Sequence, residues 1–380
     1  MSVRISRVTA YPVSFAVPPE HQVSLGIGRT VKRDAVIVEV ATDAGVTGWG
    51  EAHAARAPSA IAELVNTTLA ALVTGLEATD TEAVWERVYR MQLASHGAGA
   101  AAVIGLSGID LALWDIKGKL AGQPVCALLD AAPRDIQAYA GGISLGFQPP
   151  ERLAEEAAGF VAQGFTALKL RLGDAPRDDL ARVAAVRAAL GEGVDILTDA
   201  NTAYSLDDFA AVADGLVEAR VGWLEEPFPP HDFKSYRAAR RDDLVLAAGE
   251  NHYTRFDFER ALEDGALGVW QPDLSKTGGL TEALRIARLA AEHGIRVHPH
   301  TSLTALNMAA TLHFLAAIPN GGYFEADMTA FNPFRDVFGA AALATTTPAR
   351  VRPPPGPGLG LEFDPALLRG FPCLSGPGYV

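Results

Sequence analysis

The spacing of apolar positions changes character several times along the chain. Residues 3 to 15 alternate apolar and polar, AVIVEVAT at 35 to 42 reads as a second strand, and Asp43-Ala44-Gly45 supplies turn residues before VTGWGEA, so the opening predicts strands joined by hairpins. From Ala60 to about Gly122 the spacing is helical, with Ile61, Leu64, Val65 and Leu69 on one face and an alanine-rich stretch from Ala98 to Leu120. Beyond Pro133 the two periods alternate. DIQAYAGG reads as a strand ending in glycines, and ERLAEEAAGFVAQG sets Leu153, Ala157, Phe160 and Val161 at helical spacing and stops at Gly164. The next helix opens near Pro176, carries Leu180, Val183, Val186 and Leu190, and stops at Gly191, as helix starts and ends favour. Ser205 to Asp208 resembles a capping box, and Gly265 and Gly294 close two later helices. Past about Phe334 the alternation fails, and VRPPPGPGLGLEF is too rich in Pro and Gly for a further element of the series.

Charged residues recur where the short apolar runs end: Lys169 and Arg171 in ALKLRLG, Asp199 in ILTDAN, Glu225 in WLEEP, Glu250 in LAAGEN, Asp273 in VWQPDLSK, His300 in VHPHTS and Glu325 in YFEAD. Their separations from Lys169 onward are 30, 26, 25, 23, 27 and 25 positions, about what one strand, one helix and two loops consume. That rhythm predicts a β/α barrel, whose strand C-terminal ends converge on one face and bring distant residues to one site. The expected division is an α+β domain over 1–133, the barrel over 134–333, and a segment over 334–380 that returns to pack on the amino-terminal domain.

Composition narrows the function classes. With 380 residues, 49% hydrophobic and 20% charged, the chain has enough material for a well-buried barrel and a smaller domain. A net charge of −13 without a basic run argues against a nucleic-acid partner, but not against an anionic substrate, because a bound dication can reverse the local field. Cys126 and Cys373 are too few for a disulfide framework and read as packing residues. The amino terminus lacks a continuous apolar segment and no apolar run reaches membrane-spanning length; a cytoplasmic protein with no membrane partner is the expectation. Gly26 and Gly28 in SLGIG are not followed by a phosphate-loop pattern, so no nucleotide site is read there.

Asp199, Glu225 and Glu250 fall on consecutive strands, and three carboxylates at one edge of a barrel mouth suit Mg²⁺, a hard cation that takes oxygen ligands. The alternative for each is a structural ion pair with Lys or Arg. His298-Pro299-His300 is open to a zinc pair or a buried imidazole. Asp273, ending the preceding strand, favours a third reading in which it bonds one ring nitrogen of His300 and prepares the other as a general base.

These residues together resemble the enolase superfamily, and within it the mandelate racemase subgroup, over essentially the whole chain. GWGEA (48–52) and GIDLALWDIKGK (108–119) are similar to the family's capping domain, and the remainder to its modified (β/α)7β TIM-like barrel. The resemblance implies an α+β cap completed by the C-terminal tail. It implies that Asp199, Glu225 and Glu250 hold Mg²⁺, that Asp273 and His300 form a dyad, that Lys169 helps bind the substrate carboxylate, and that Glu325 hydrogen-bonds that carboxylate as a protonated acid. It also implies a homo-oligomer. Asp273 stands where muconate-cycloisomerase-like members carry Lys, which places the chain on the racemase and acid-sugar side; Lys276-Thr277-Gly278-Gly279 is common to both groups. Arg171 is a departure, since the family's second-strand partner is a Lys that acts as a base on the opposite face of the substrate. A guanidinium stays protonated and is suited to binding anions, not to taking a proton.

The expected activity is dehydration of an acid sugar: a neutral His300, serving carbons of R configuration by the resemblance, removes the proton α to the carboxylate, and hydroxide leaves from C3 to give a 2-keto-3-deoxy acid. The alternatives are a racemase or epimerase of an α-substituted carboxylate, and a carboxylate-binding protein without turnover. Cap loops around 18–32 and 53–58 are expected to set specificity, with His21, Arg29, Lys32, His53 and Arg56 as candidate contacts.

Overall fold

The computed structural model describes residues 2–301, 303–339 and 349–380 and the backbone of 345–346. The chain opens with an antiparallel meander of β1 (Ile5–Ala16), β2 (Lys32–Thr42) and β3 (Thr47–His53), in the order β1-β2-β3. The near-continuous apolar run in β2 follows from burial on both faces. Val36, Val38 and Val40 join the core of the cap, while Ala35 and Ile37 join the core shared with the barrel. A strand apolar on both sides is what a middle layer requires.

Helix α1 (Ala100–Ala121) is buried around most of its circumference. It lies between β3 and the barrel, close enough that a Cβ on Gly48 would meet the carbonyl of Ala112, and one on Gly50 the carbonyl of Gly108. The small residues of GWGEA and the small face of α1 are therefore complementary. Gly50→Ala is expected to cost roughly 3 kcal/mol through overpacking against backbone that has no flexible end to yield. A thermal melt checks this, and an unchanged melting temperature would show that strand and helix can separate freely.

Eight parallel strands form the barrel: β4 (Ile136–Gly141), β5 (Ala167–Arg171), β6 (Asp195–Asp199), β7 (Val221–Glu225), β8 (Leu246–Ala248), β9 (Val269–Trp270), β10 (Arg296–Val297) and β11 (Phe324–Asp327). Each of β4 to β9 pairs with the next, and β11 pairs back onto β4. Between β10 and β11 the ring is closed by backbone bonds from Val297 to the Asn320 carbonyl at 3.0 Å and from Gly322 to the Val297 carbonyl at 2.8 Å. Helices α2 (Pro150–Ala162), α3 (Pro176–Leu190), α4 (Leu206–Glu218), α5 (Phe233–Ala238), α6 (Thr254–Asp264), α7 (Gly279–Glu292) and α8 (Ala305–Ala317) follow the first seven strands, whereas among the described residues β11 is followed by only the short α-helix Pro333–Val337. This is the expected (β/α)7β arrangement. The capping box at Ser205 and Asp208 is formed, and Gly265 ends α6 in the left-handed conformation.

Inside the barrel, Tyr139, Ala167, Leu197, Trp223, Ala247 and Val269 form an apolar floor. The charged strand-end residues stand above it.

The tail departs from expectation in two places. Arg350–Val351 forms a further strand, β12, pairing antiparallel with Ile136–Gln137 of β4, so the Pro-rich segment does begin as sheet. Its prolines do not interrupt the pairing because the strand is two residues long and ends before them. Cys373 is exposed, where a packing residue was expected, because the tail runs over the outside of the cap; Cys126 is buried as expected. The tail then donates from Leu359 N to Asp115 at 2.9 Å, packs Phe363 on Trp49, and ends with Val380 N bonded to the Arg29 carbonyl at 3.0 Å. Residues 340–344 and 347–348 of the returning segment lie outside the described residues. Among the described residues no helix is long and apolar enough to cross a membrane.

Candidate active site

The eight singled-out residues gather at the strand ends in two clusters. The first is centred on Lys169 of β5, fully buried, whose ammonium lies 2.8 Å from Glu225, 3.1 Å from Glu325 and 3.5 Å from Asp199. Glu225 also accepts from Gln271 at 2.7 Å and from the Trp223 indole at 3.2 Å. Arg171 bonds Asp199 and the Gly142 carbonyl, and reaches to 3.9 Å from Glu325. Its Nε is buried, without a hydrogen-bond partner among the described residues.

The second cluster is centred on His300. Its Nδ1 meets Asp273 at 2.7 Å and its Nε2 meets Glu250 at 2.7 Å. The other oxygen of Asp273 accepts from Ser275 N and Oγ, both at 2.7 Å, and from Asn307 at 3.1 Å. These donors fix the carboxylate and, through it, the ring. His298 is turned away: its Nδ1 accepts from Tyr323 N at 3.0 Å and its ring packs on Trp223. The open choice at His298-Pro299-His300 thus resolves as one packed imidazole and one imidazole at the site.

A cavity of about 220 Å³ opens over both clusters, and it exposes Arg171, Glu250, His300 and Glu325, while Lys169, Asp199, Glu225 and Asp273 stand beneath or behind them. Its outer wall comes from the cap. Of the candidate loop contacts, Lys32, His53 and Arg56 line it; His21 instead stacks on Phe331, and Arg29 bonds Gln22. Gly26 seats the first loop against the barrel, where a Cβ would strike the Ala200 carbonyl.

Lining residues missed from the sequence include Glu226, Asn201, Asn251, Lys276 and Tyr379. Strand alternation alone would turn Glu226 away from whatever Glu225 faces. β7 ends at Glu225, however, and Glu226 has a positive φ of 39°, which swings it into the cavity. Adjacency in LEEP was the available signal. Tyr379 had none, because only the folded tail brings it to the barrel mouth.

In this arrangement of side chains, electrostatics set two groups in the opposite state to the one expected for turnover. His300 was expected neutral, yet although burial lowers its pKa, Glu250 and Asp273 together raise it to about 10, so the ring is a cation in this arrangement. Glu325 was expected protonated, yet Lys169, then His300 and Arg171, override the upward push of burial and hold it down at about 2. Arg171 is raised further above its already high value by Asp199 against the opposing effect of burial, in keeping with its reading as a permanent cation.

The three candidate metal carboxylates are turned to cationic partners: Asp199 to Arg171, Glu225 to Lys169 and Glu250 to His300. Among the described residues no group of three acid, His or Cys side chains stands at ligand geometry. The donor set nevertheless fits a hard dication. Asp199 and Glu225 are direct register partners across β6 and β7, both offer oxygen, and the carboxylates Asp199, Glu225, Glu250, Asp273 and Glu325 outnumber Lys169, Arg171, Lys276 and the charged His300. Burial and neighbouring carboxylates push Glu225 up to about 7 despite Lys169. A divalent cation would offset that surplus of negative charge.

Residues 152–367 match the family described as Enolase C-terminal domain-like, and residues 8–130 match the Mandelate racemase / muconate lactonizing enzyme, N-terminal domain. The chain belongs to the enolase superfamily, in its mandelate racemase group. Its relatives in that group include a D-galactarolactone cycloisomerase from Agrobacterium fabrum, 34% identical over 90% of this chain and 92% of that protein. Another is a D-galactonate dehydratase from Ralstonia nicotianae, 33% identical over 88% and 90%. A solved enolase-superfamily member from Polaromonas sp. JS666 is 52% identical and superposes with a TM-score of 0.97 over 99% of this chain and all of that one. A racemase from Streptomyces coelicolor A3(2) with bound magnesium superposes at 0.84, with 29% identity over 96% and 99%. By this membership the protein is an enzyme of lyase or isomerase kind, similar to acid-sugar dehydratases and cycloisomerases.

Proposed function

We propose that the protein is a Mg²⁺-dependent hydro-lyase that converts a sugar acid to its 2-keto-3-deoxy acid. The observation that carries this reading is the asymmetry of the site: His300 is oriented by Asp273, while position 171 holds an arginine locked on Asp199. Racemisation needs a proton acceptor on each face, whereas a syn elimination needs one.

Asp199, Glu225 and Glu250 would hold the Mg²⁺, and the bound ion would withdraw charge from the substrate carboxylate as a second negative charge develops there. His300 must first be neutral. In the present arrangement Glu250 holds its Nε2; with Glu250 turned to a cation, only Asp273 orients the ring and Nε2 is free to face substrate. The C2–H bond breaks: its proton goes to His300 Nε2 and, as the C1=O π electrons shift onto the carboxylate oxygen, its electron pair forms a C1=C2 double bond. That pair then moves to C2–C3 as the C3–O bond breaks. The leaving hydroxide takes the proton from His300 and departs as water. The resulting enol tautomerises to the keto acid.

Arg171 lines the cavity and Lys169 stands beneath it, so both would supply positive charge where the substrate carboxylate would lie. A carboxylate arriving there shares their charge, relaxes their hold on Glu325, and lets that group take up a proton and donate. The homologous dehydratases support the reaction class, and the magnesium-bound neighbour supports the metal. The reading also expects a homo-oligomer, located in the cytoplasm. Its test is a panel of mono- and diacid sugars, with Mg²⁺ or with EDTA, scored for 2-keto acid. Mg²⁺-dependent product from at least one acid is expected. C2 exchange without product would move the assignment to the racemase, and tight binding without either reaction would move it to a carboxylate-binding protein.

A further inference from the structure

We propose that the cap end of the cavity is a second anion subsite, and that the sugar acid turned over is a dicarboxylate. This rests on the reading above, in which the first carboxylate binds at the barrel end.

At the barrel end each cation already has a carboxylate partner: Lys169 has Glu225, Arg171 has Asp199, and Lys276 has Glu250 at 3.6 Å. The cap end differs. Arg33 on β2 and Arg56 in the loop after β3 both line the cavity, and among the described residues neither is paired with a carboxylate. Neighbouring Lys32 is already engaged by Asp34 at 3.1 Å and by the Leu374 carbonyl at 2.9 Å. Arg56 lies 4.9 Å from the centre of the Tyr379 ring, and Tyr379 is itself bridged to Thr30. Stacking on an aromatic face holds a guanidinium in place without neutralising it.

Two uncompensated guanidinium groups thus face a cavity whose floor is rich in acid, in a chain of net charge −13. They offer planar forks that match a carboxylate. A neutral polyol end would leave that charge unanswered. A phosphate fits less well, because Asp34 and Asp327 also line the cavity and would repel a dianion more strongly than a single negative charge.

The test compares an aldaric acid with the aldonic acid of the same configuration, in the wild type, Arg33→Ala, Arg56→Ala and the double variant. Arg29→Ala, a cap arginine off the cavity, is the control. The wild type should favour the diacid roughly tenfold to hundredfold in kcat/KM, the range expected of hydrogen bonds to a charged group, with the difference mainly in KM. The cavity variants should lose that preference and the control should keep it. Equal use of both acids by the wild type, or full preference in the double variant, overturns the proposal. Preference for a terminally phosphorylated aldonic acid over the diacid overturns the dicarboxylate assignment. Should no acid turn over, the dehydratase reading fails separately, and calorimetry with the same two acids still decides: tighter diacid binding that weakens in the variants supports the subsite, and unchanged binding removes it.

Discussion

His300→Asn is expected to lower the rate of C2 proton removal by about ten-thousandfold, the upper range for loss of a positioned acid–base group. Asparagine can keep a hydrogen bond to Asp273 but cannot take a proton at neutral pH. The fold should survive, because Asp273 retains Ser275 and Asn307 as donors and is not left unsatisfied. Asp273→Asn should show a smaller loss, near a hundredfold, since it disturbs the tautomer and basicity of the ring without removing it. Single-turnover loss of the C2 proton, with circular dichroism as the fold control, measures both. Wild-type turnover in His300→Asn would remove the imidazole from the chemistry.

Replacing the carboxylates at the barrel mouth should have an effect of similar size for a different reason. Glu250→Ala is expected to abolish Mg²⁺ binding by calorimetry and to reduce activity roughly a thousandfold or more. Asp199→Ala and Glu225→Ala should do the same, with an added stability cost, because Arg171 and Lys169 would be left as buried charges short of a partner, a change worth roughly 3–5 kcal/mol when an ion pair is broken from one side. This separates the metal reading from the ion-pair reading. If these side chains serve only as counter-ions, the wild type gives no Mg²⁺ titration and the variants differ in melting temperature alone. Full Mg²⁺ affinity and activity in all three variants would end the metal assignment.

The barrel was legible because its strands end in charged residues at nearly constant separation, and every one of those residues lies at the mouth. Their order in depth was not legible. β8, β9 and β10 are two or three residues long, too short for alternation to say which side chains face inward, so Lys276, in the loop beyond β9, was read as part of a motif and not as a residue lining the cavity. Glu226 was hidden by the positive φ that follows β7. The protonation states of His300 and Glu325 depend on Glu250, Lys169 and Arg171, which no local pattern connects to them. A sequence shows which groups titrate; the fold decides which charges they meet. Cap-loop residues do line the mouth, but the distinction between Lys32, paired with Asp34, and Arg33, which among the described residues has no carboxylate partner, exists only in three dimensions.

Face selectivity at C2 follows from Arg171 and is read directly by NMR in D₂O. The identified substrate and its C2 epimer are incubated separately with the wild-type enzyme and Mg²⁺, following the C2 proton and the appearance of keto acid. With His300 as the base and Arg171 fixed as a cation on Asp199, only the R-configured acid should lose its C2 proton, and it should do so with formation of the 2-keto-3-deoxy acid. Rapid loss of the C2 proton from both epimers would demand a second base on the opposite face and contradict a one-base dehydratase.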